Sequence, residues 1–113
     1  DKAHLPIAKY TFDGVKEPTF KLAVENANID TWLVCGIEAH ICVYQTAVSL
    51  RQMGFKVELV TDCVSSRTAA NKALALAKLT ANGVGLTSVE MCLYEMVEDC
   101  RAPEFKSILA LIK

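Results

Sequence analysis

Apolar residues along the 113-residue chain alternate between strand-like runs and helix-like spacings. Residues 32–36, WLVCG, form a near-continuous apolar run of the kind found in strands of a parallel sheet covered on both faces. We expect this run to be a buried central strand, followed by further strands at FKVELVTD and at residues 84–86. Between the strands, residues 40–53 and 68–81 have apolar side chains at helical spacing, which predicts two helices.

Boundary residues indicate three more helices and one extended segment. Pro18 suits the first turn of a short helix. The sequence TSVE at residues 87–90 has the form of a capping box, which predicts a helix running to about Asp99. EFKSILALI is predicted to form a last helix after Pro103. Residues 5–12, LPIAKYTF, are predicted to be extended and to end at a turn-like DG dipeptide.

This order of elements predicts an α/β fold with a parallel sheet, because parallel neighbours need a crossover element that lies on a face of the sheet. The length is that of a single domain, residues 1–113. Ligands in such folds gather at the carboxyl ends of the strands, where residues 36–42 and 62–67 lie. A composition that is 52% hydrophobic and only 22% charged predicts a homo-oligomer, either a dimer or a tetramer.

Charge and cysteine content restrict the partners and the compartment. A formal net charge of -1 gives no field that favours nucleic acid or an anionic membrane, so neither is predicted as a partner. Five cysteines without a CxxC motif indicate a reducing setting, which predicts a cytoplasmic protein. A mitochondrial location is the alternative, since a chain that starts without Met can have lost a targeting signal.

Cys42 stands in the first turn of a predicted helix, directly after a predicted strand. The free backbone donors of a helix start favour a thiolate and can also hold an oxyanion. Cysteine is equally among the most buried residue types, and Cys35, Cys92 and Cys100 lie in apolar patterns that indicate core positions. From the pattern alone, Cys42 is open to both interpretations, core packing and nucleophile.

Several polar residues near the same sheet edge have two interpretations each. His40 is two residues from Cys42, an offset that seldom brings side chains together, so we expect a capping or surface role. Asp62 and Arg67 suit loop capping or substrate contact. Lys9, in an apolar extended segment, is either an edge-strand charge that blocks aggregation or a catalytic cation.

Metal and cofactor motifs are weak or missing in the sequence. His4 has no evident partner residues for a zinc site, so no metal ligand is predicted. A GxGxxG motif is absent, which disfavours dinucleotide binding, and no cofactor is expected. Cys63 follows a strand at the sheet edge, where it either packs or approaches Cys42.

Five segments in order, namely IAKYTF, GIEAHICV, DCVSSR, the TS-initiated helix and PEFKSILALIK, resemble the isochorismatase-like cysteine hydrolase family, and in particular its short eukaryotic members. The resemblance implies a three-layer α/β/α sandwich with a mainly parallel, Rossmann-like sheet, of which this chain would be the C-terminal portion, incomplete at the N-terminus. It implies a hydrolase acting on a small-molecule substrate of amide, imide or enol-ether type. A catalytically inactive family member that acts as an oligomeric interaction protein is the alternative.

Carried over by position, the resemblance implies a role for five residues. Cys42 would be the nucleophile, and Lys9 the cation that supports thiolate formation and proton transfer. The oxyanion would be held by the backbone amides of Glu38 and Cys42, and the peptide between Ile37 and Glu38 would be cis. Ile37 and His40 are possible substrate-pocket residues.

The sequence departs from the family pattern in three respects. The aspartate base at the end of the family's first strand has no counterpart motif here, and the metal ligands of zinc- or iron-binding members would lie in the same region. The third position of the nucleophile loop, commonly small, is Glu38. The position two residues before the nucleophile, often Asp, is His40.

Overall fold

A computed structural model describes residues 5–113 of the chain and shows five α-helices and three strands in that range. A 3-10 turn (Gly14–Lys16) precedes the first helix, and a π-helical turn (Ala39–Val43) precedes the second. In chain order the elements are α1 (Pro18–Asn26), β1 (Thr31–Ile37), α2 (Tyr44–Gln52), β2 (Lys56–Ser65), α3 (Ala69–Ala81), β3 (Gly85–Thr87), α4 (Val89–Val97) and α5 (Phe105–Ile112).

The three strands form one parallel sheet in the order β1-β2-β3, as the alternation of strands and helices predicts. The prediction that residues 32–36 form the buried central strand is wrong, because β2 is central and β1 is an edge within residues 5–113. Along β1, half-buried and exposed residues alternate, and Ile37 is 72% exposed. An apolar run therefore does not distinguish a strand covered on both faces from a strand with one open face.

Helices pack on both faces of the sheet, although one face of β1 stays open. On one face the core joins α1, α2 and α3 to Val57 and Leu59 of β2, and Leu50, Leu59 and Leu79 are its largest fully buried side chains. On the other face Cys92 and Leu93 of α4 line a hollow together with Val60 of β2. The result is the predicted α/β/α sandwich. Each fully buried leucine contributes about 1.5–3 kcal/mol relative to an exposed one.

Side-chain caps set the starts of two helices. Thr68 caps α3 by accepting the backbone N–H of Asn71, as the predicted helix 68–81 requires. In α4 the cap is Ser88, which accepts the N–H of Met91, rather than Thr87, the first residue of the predicted capping box. Thr87 is instead the last residue of β3, and its hydroxyl oxygen lies 3.3 Å from the sulfur of Cys92. The helix also ends at Val97, two residues before the predicted end.

The segment before α1 is not a strand, so an edge-strand role for Lys9 is wrong. A polar turn ties this segment to α2 instead. The buried carboxylate of Asp13 accepts the N–H of Val15 at 2.9 Å and a hydrogen bond from the Ser49 hydroxyl. The N–H of Gly14 donates to Oγ1 of Thr46 at 2.8 Å. Two neighbouring residues of the turn are thereby fixed to one face of α2.

We expect Asp13→Ala to lower the free energy of unfolding by about 1–3 kcal/mol, because it leaves the N–H of Val15 and the Ser49 hydroxyl without their buried acceptor. Urea unfolding followed by circular dichroism measures the change. Asp30→Ala removes an exposed carboxylate and serves as the control, with an expected change within about 0.5 kcal/mol. Equal stability of the two variants would contradict the structural role of Asp13.

Candidate functional site

Cys42 lies in the π-helical turn that connects β1 to α2. Gly36 has a φ of +119°, a conformation that favours glycine, and the peptide between Ile37 and Glu38 is cis, as the family resemblance implies. The carbonyl of Glu38 then accepts the N–H groups of Ile41 at 3.1 Å and Val43 at 3.3 Å. The turn therefore closes around one carbonyl, and Cys42 lies between the two residues that donate to it.

A hollow of about 350 Å³ runs beside β1 and contains Cys42 on its wall. Lys9 lines the same hollow, so the structure brings together the two residues that the resemblance implies as nucleophile and cation. The hydroxyl-bearing Thr46 adds a further polar group. The rest of the wall is mainly apolar and is formed by Phe20, Trp32, Leu33, Val34, Cys35, Gly36, Ile37, Val43 and Leu50.

The Lys9 ammonium is held by a local contact. Its Nζ donates to the carbonyl of Thr11 at 2.9 Å, and the side chain is exposed. In the part of the chain that the structure describes, Lys9 forms no ion pair. An unpaired ammonium at the rim of an apolar hollow can favour an anion, such as a thiolate, that forms nearby.

The two predicted pocket residues are placed differently. Ile37 lines the hollow with Cys42. His40 is not among the lining residues, and its Nδ1 lies 2.9 Å from Oγ of Ser66, in the loop that follows β2. His40 and Cys42 thus do not share the hollow, in agreement with the expectation that their offset separates them.

Sequence reasoning missed an ionic contact between the loops that follow β1 and β2. Oε1 of Glu38 accepts the backbone N–H of Arg67 at 3.1 Å and forms an ion pair with the guanidinium, whose Nε lies 3.0 Å away. Oε2 of Glu38 lies 3.8 Å from Nε2 of His40. The available signal was a pair of opposite charges, each just after the end of one of two predicted parallel strands, which meet at the same sheet edge.

The remaining candidates have structural roles or lie apart from Cys42. Asp62 lies within β2 and accepts the N–H of Val89 at 3.1 Å, so it caps α4 and not α3, the next helix, for which capping was predicted. Cys63 is exposed and lines a different hollow, on the α4 side of the sheet. Of the three cysteines predicted to be core, only Cys92 is buried. Cys35 lies on the open face of β1 and Cys100 in a turn after α4, where neither is covered.

Residues 5–113 contain neither a metal-binding cluster nor a membrane-spanning helix. No group of three or more His, Cys, Asp or Glu side chains is arranged to hold a metal ion there. None of the described helices has the length and apolar character that a membrane span requires. His4, considered above for a zinc site, lies outside the described residues.

Comparison with known proteins gives matches over most of the chain. The secreted isochorismatase effector Isc1 of Phytophthora sojae is 46% identical over 81 residues, which cover 72% of this chain and 39% of that protein. Isochorismatase domain-containing protein 1 of Danio rerio is 33% identical over 111 residues, which cover 98% of this chain and 39% of that protein. This chain thus spans about half, or less, of the length of these relatives.

Solved structures share the fold. MAR1 ribonuclease from Caenorhabditis elegans superposes with a TM-score of 0.80 at 32% identity, over 92% of this chain and 53% of that chain. The YcaC gene product of Escherichia coli, described as an octameric hydrolase of unknown specificity, superposes with a TM-score of 0.85 at 21% identity, over 92% of this chain and 50% of that chain. At that identity, the second likeness supports the fold alone.

The sequence model of the isochorismatase domain matches residues 1–91 of the 113. The matched region contains β1, the Cys42 turn, α2, β2, α3 and β3, that is, the whole sheet and one of its helical layers. Together with the parallel sandwich that it shares with solved family members, this match establishes that the chain belongs to the isochorismatase family.

Proposed function

We propose that this chain carries the nucleophile of a cysteine hydrolase that acts on a small amide, imide or enol-ether substrate. The observation that carries the proposal is the shared hollow: Cys42 and Lys9 line one cavity beside β1. Membership of the isochorismatase family, whose relatives include proteins named as hydrolases, supports it.

For an amide substrate the proposed reaction has two stages. The Cys42 thiolate attacks the carbonyl carbon, a C–S bond forms, and the carbonyl electron pair moves to oxygen, where the backbone N–H groups of Glu38 and Cys42 stabilise it. The electron pair then returns, the C–N bond breaks, and the leaving nitrogen takes a proton, for which Lys9 is the proposed source. Water cleaves the resulting thioester, which releases the acid and restores the thiol.

A general base is the component that the described residues do not supply beside Cys42. Asp13 is buried against α2 and Asp62 caps α4, so both carboxylates are committed to structure. The family resemblance assigns this role to an aspartate in a region without a counterpart motif in this chain. This chain spans about half the length of its curated relatives. Catalytic turnover is therefore proposed for the whole protein.

The walls of the hollow favour a small substrate with few polar groups. A volume of about 350 Å³ is near the lower end of the range for ligand pockets, and its wall is mainly apolar. One carbonyl or ring oxygen that meets Lys9 and the turn amides would suffice to orient such a molecule. The proposed substrate class is thus a small, largely apolar molecule with a single amide, imide or enol-ether group.

We expect Cys42 to react with iodoacetamide at least about tenfold faster near pH 7 than Cys63 and Cys100, two exposed thiols of the same chain, because Cys42 shares its hollow with the Lys9 cation. Peptide mapping by mass spectrometry across a pH series resolves the individual thiols. Lys9→Gln should slow the alkylation of Cys42, whereas Lys21→Gln, on the exposed side of α1, should leave its rate unchanged. A Cys42 that is no more reactive than Cys100 would overturn the proposal.

Hydrolysis is tested with the whole protein. A panel of small amides, cyclic imides and enol ethers is offered to the wild type and to Cys42→Ala, with RNA as an additional arm because the related C. elegans protein is named a ribonuclease. Loss of hydrolysis in Cys42→Ala supports the proposal. Wild-type protein without activity on any arm would favour the alternative, a catalytically inactive member that acts through protein contacts.

The backbone at Gly36 provides a second test of the turn. Gly36→Ala should cost about 1–3 kcal/mol of stability, because its φ of +119° is unfavourable for alanine, and it should also slow Cys42 alkylation. Gly54 is the matched control, because it has a φ of +94° and open space around it. Gly54→Ala should lower stability without changing the alkylation rate of Cys42. Thermal unfolding and alkylation rates measure the two effects, and identical alkylation in both variants would contradict the link between Gly36 and the thiol.

We also propose that the protein self-associates through α4 and α5, as a dimer or tetramer. Met96 is 67% and Leu111 is 79% exposed, which is a large apolar surface for two short helices. Light scattering of the wild type should give two or four times the protomer mass. The double variant Met96→Glu and Leu111→Glu should give the mass of a single protomer. Leu22→Glu, on exposed α1, is the control that should retain the oligomer. A monomeric wild type would refute self-association.

A further inference from the structure

The contact between Glu38 and Arg67 differs from an ordinary surface ion pair. The Glu38 side chain is only 21% exposed, whereas that of Arg67 is 76% exposed. The same carboxylate oxygen accepts the backbone N–H of Arg67 at 3.1 Å and lies 3.0 Å from the guanidinium Nε, an ion-pair distance. A charge-assisted bond to the main chain holds the loop itself and not just the tip of a flexible side chain.

A second contact joins the same two loops. Nδ1 of His40 lies 2.9 Å from Oγ of Ser66, the residue before Arg67. Residues 38 and 40 of the turn therefore hold residues 67 and 66 of the loop after β2. The two contacts lie side by side, and together they restrain rotation of one loop against the other.

The residue that makes the ionic contact is also the one that organises the turn around Cys42. The carbonyl of Glu38 accepts the N–H groups of Ile41 and Val43, the two neighbours of Cys42. Any movement of the Glu38 peptide unit would shift both of these bonds. The side chain of Glu38 is not among the groups that line the hollow, so it acts from outside it.

We propose that Glu38 is a positioning residue: its carboxylate, anchored on Arg67, fixes the peptide unit that holds Cys42 in the wall of the hollow that Lys9 also lines. The inference rests on the proposed cysteine-hydrolase function for its consequence, since a fixed thiol matters when the thiol reacts. Its geometric part concerns the two loops alone and can be tested without any reaction.

The chain offers a close control for this contact. Oδ1 of Asp99 accepts the backbone N–H of Arg101 at 2.8 Å and its Nε–H at 3.0 Å, so this carboxylate also contacts both the main chain and the guanidinium of one arginine. The hydrogen bond from the Arg101 side chain holds the pKa of the Asp99 carboxyl below its usual range. This pair joins two residues of a single exposed turn, so its removal leaves the Cys42 turn untouched.

The test combines hydrogen exchange with Cys42 alkylation in the whole protein. In Glu38→Ala, amide exchange in residues 39–43 and 65–68 should rise about tenfold or more, and the enhanced alkylation of Cys42 should be lost, as expected when a local bond network opens. Arg67→Ala keeps the backbone N–H and should show a smaller rise. Asp99→Ala should change neither measurement, and Glu38→Gln, which keeps an acceptor oxygen of the same shape, should lie between wild type and Glu38→Ala.

The outcomes separate the two proposals. If exchange rises in Glu38→Ala while wild-type Cys42 is no more reactive than the other thiols, the loop contact stands and the cysteine-hydrolase function fails. If wild-type Cys42 is reactive and Glu38→Ala leaves both exchange and alkylation unchanged, the positioning role is overturned and the function stands. Amide exchange in β2 and α3 reports on global unfolding. If Glu38→Ala unfolds globally, the results for Glu38→Gln and Arg67→Ala decide whether Glu38 has the positioning role.

If the whole protein is active, its steady-state kinetics distinguish a positioning role of Glu38 from a role in substrate binding. Loss of a positioning residue should lower kcat about tenfold or more with little change in KM, because the thiol is displaced while the walls of the hollow are kept. A variant that raises KM alone would assign Glu38 to substrate binding and would overturn the positioning role.

Discussion

The packing of α2 against the sheet determines the position of the candidate site. Ala39, Val43, Ala47 and Leu50 follow one another at helical spacing and are all buried in the core. Two of them are alanines with no exposed surface, which lets the turn and the helix approach the strands closely. Because this apolar stripe begins within the π-helical turn, the core anchors the turn as well as the helix, and the half-buried Cys42 lies outside the buried cluster.

A second stripe on the same helix links the thiol to Lys9. Cys42, Thr46 and Ser49 follow at spacings of four and three residues, so they share one side of the turn and helix. Thr46 and Ser49 bind the turn formed by Asp13 and Gly14, and Cys42 faces the hollow. The polar stripe on α2 therefore fixes the position of the segment that contains Lys9. Cys42 and Lys9 line the same hollow because the same helix places both, although they are 33 residues apart in the sequence.

Local features of the sequence predicted much of the fold and part of the site. The start of α3 at the Thr68 cap and the strand-turn-helix around Cys42 follow from neighbouring residues, and the structure has both. The burial of β1 and Cys35 could not be predicted, because an apolar run does not show what covers it. The bond between Glu38 and Arg67 joins residues 29 apart, and it depends on how the two strands are paired. The sequence shows the two opposite charges, but it does not predict the distance between the two loops that contain them.

Stability and the proposed chemistry are assigned to different faces of the same elements. Cys42 is absent from the buried cluster that joins α2 to the sheet, and Glu38 and Arg67 lie at the end of the sheet, beyond that cluster. Removal of the Cys42 sulfur therefore creates no cavity in the core, unlike truncation of Leu50 or Leu59. Contacts of the neighbouring residues therefore fix the position of the thiol, and the thiol itself does not contribute to the core. A loss of reactivity on substitution of Glu38 can then be attributed to the geometry of the turn, provided that the core remains folded.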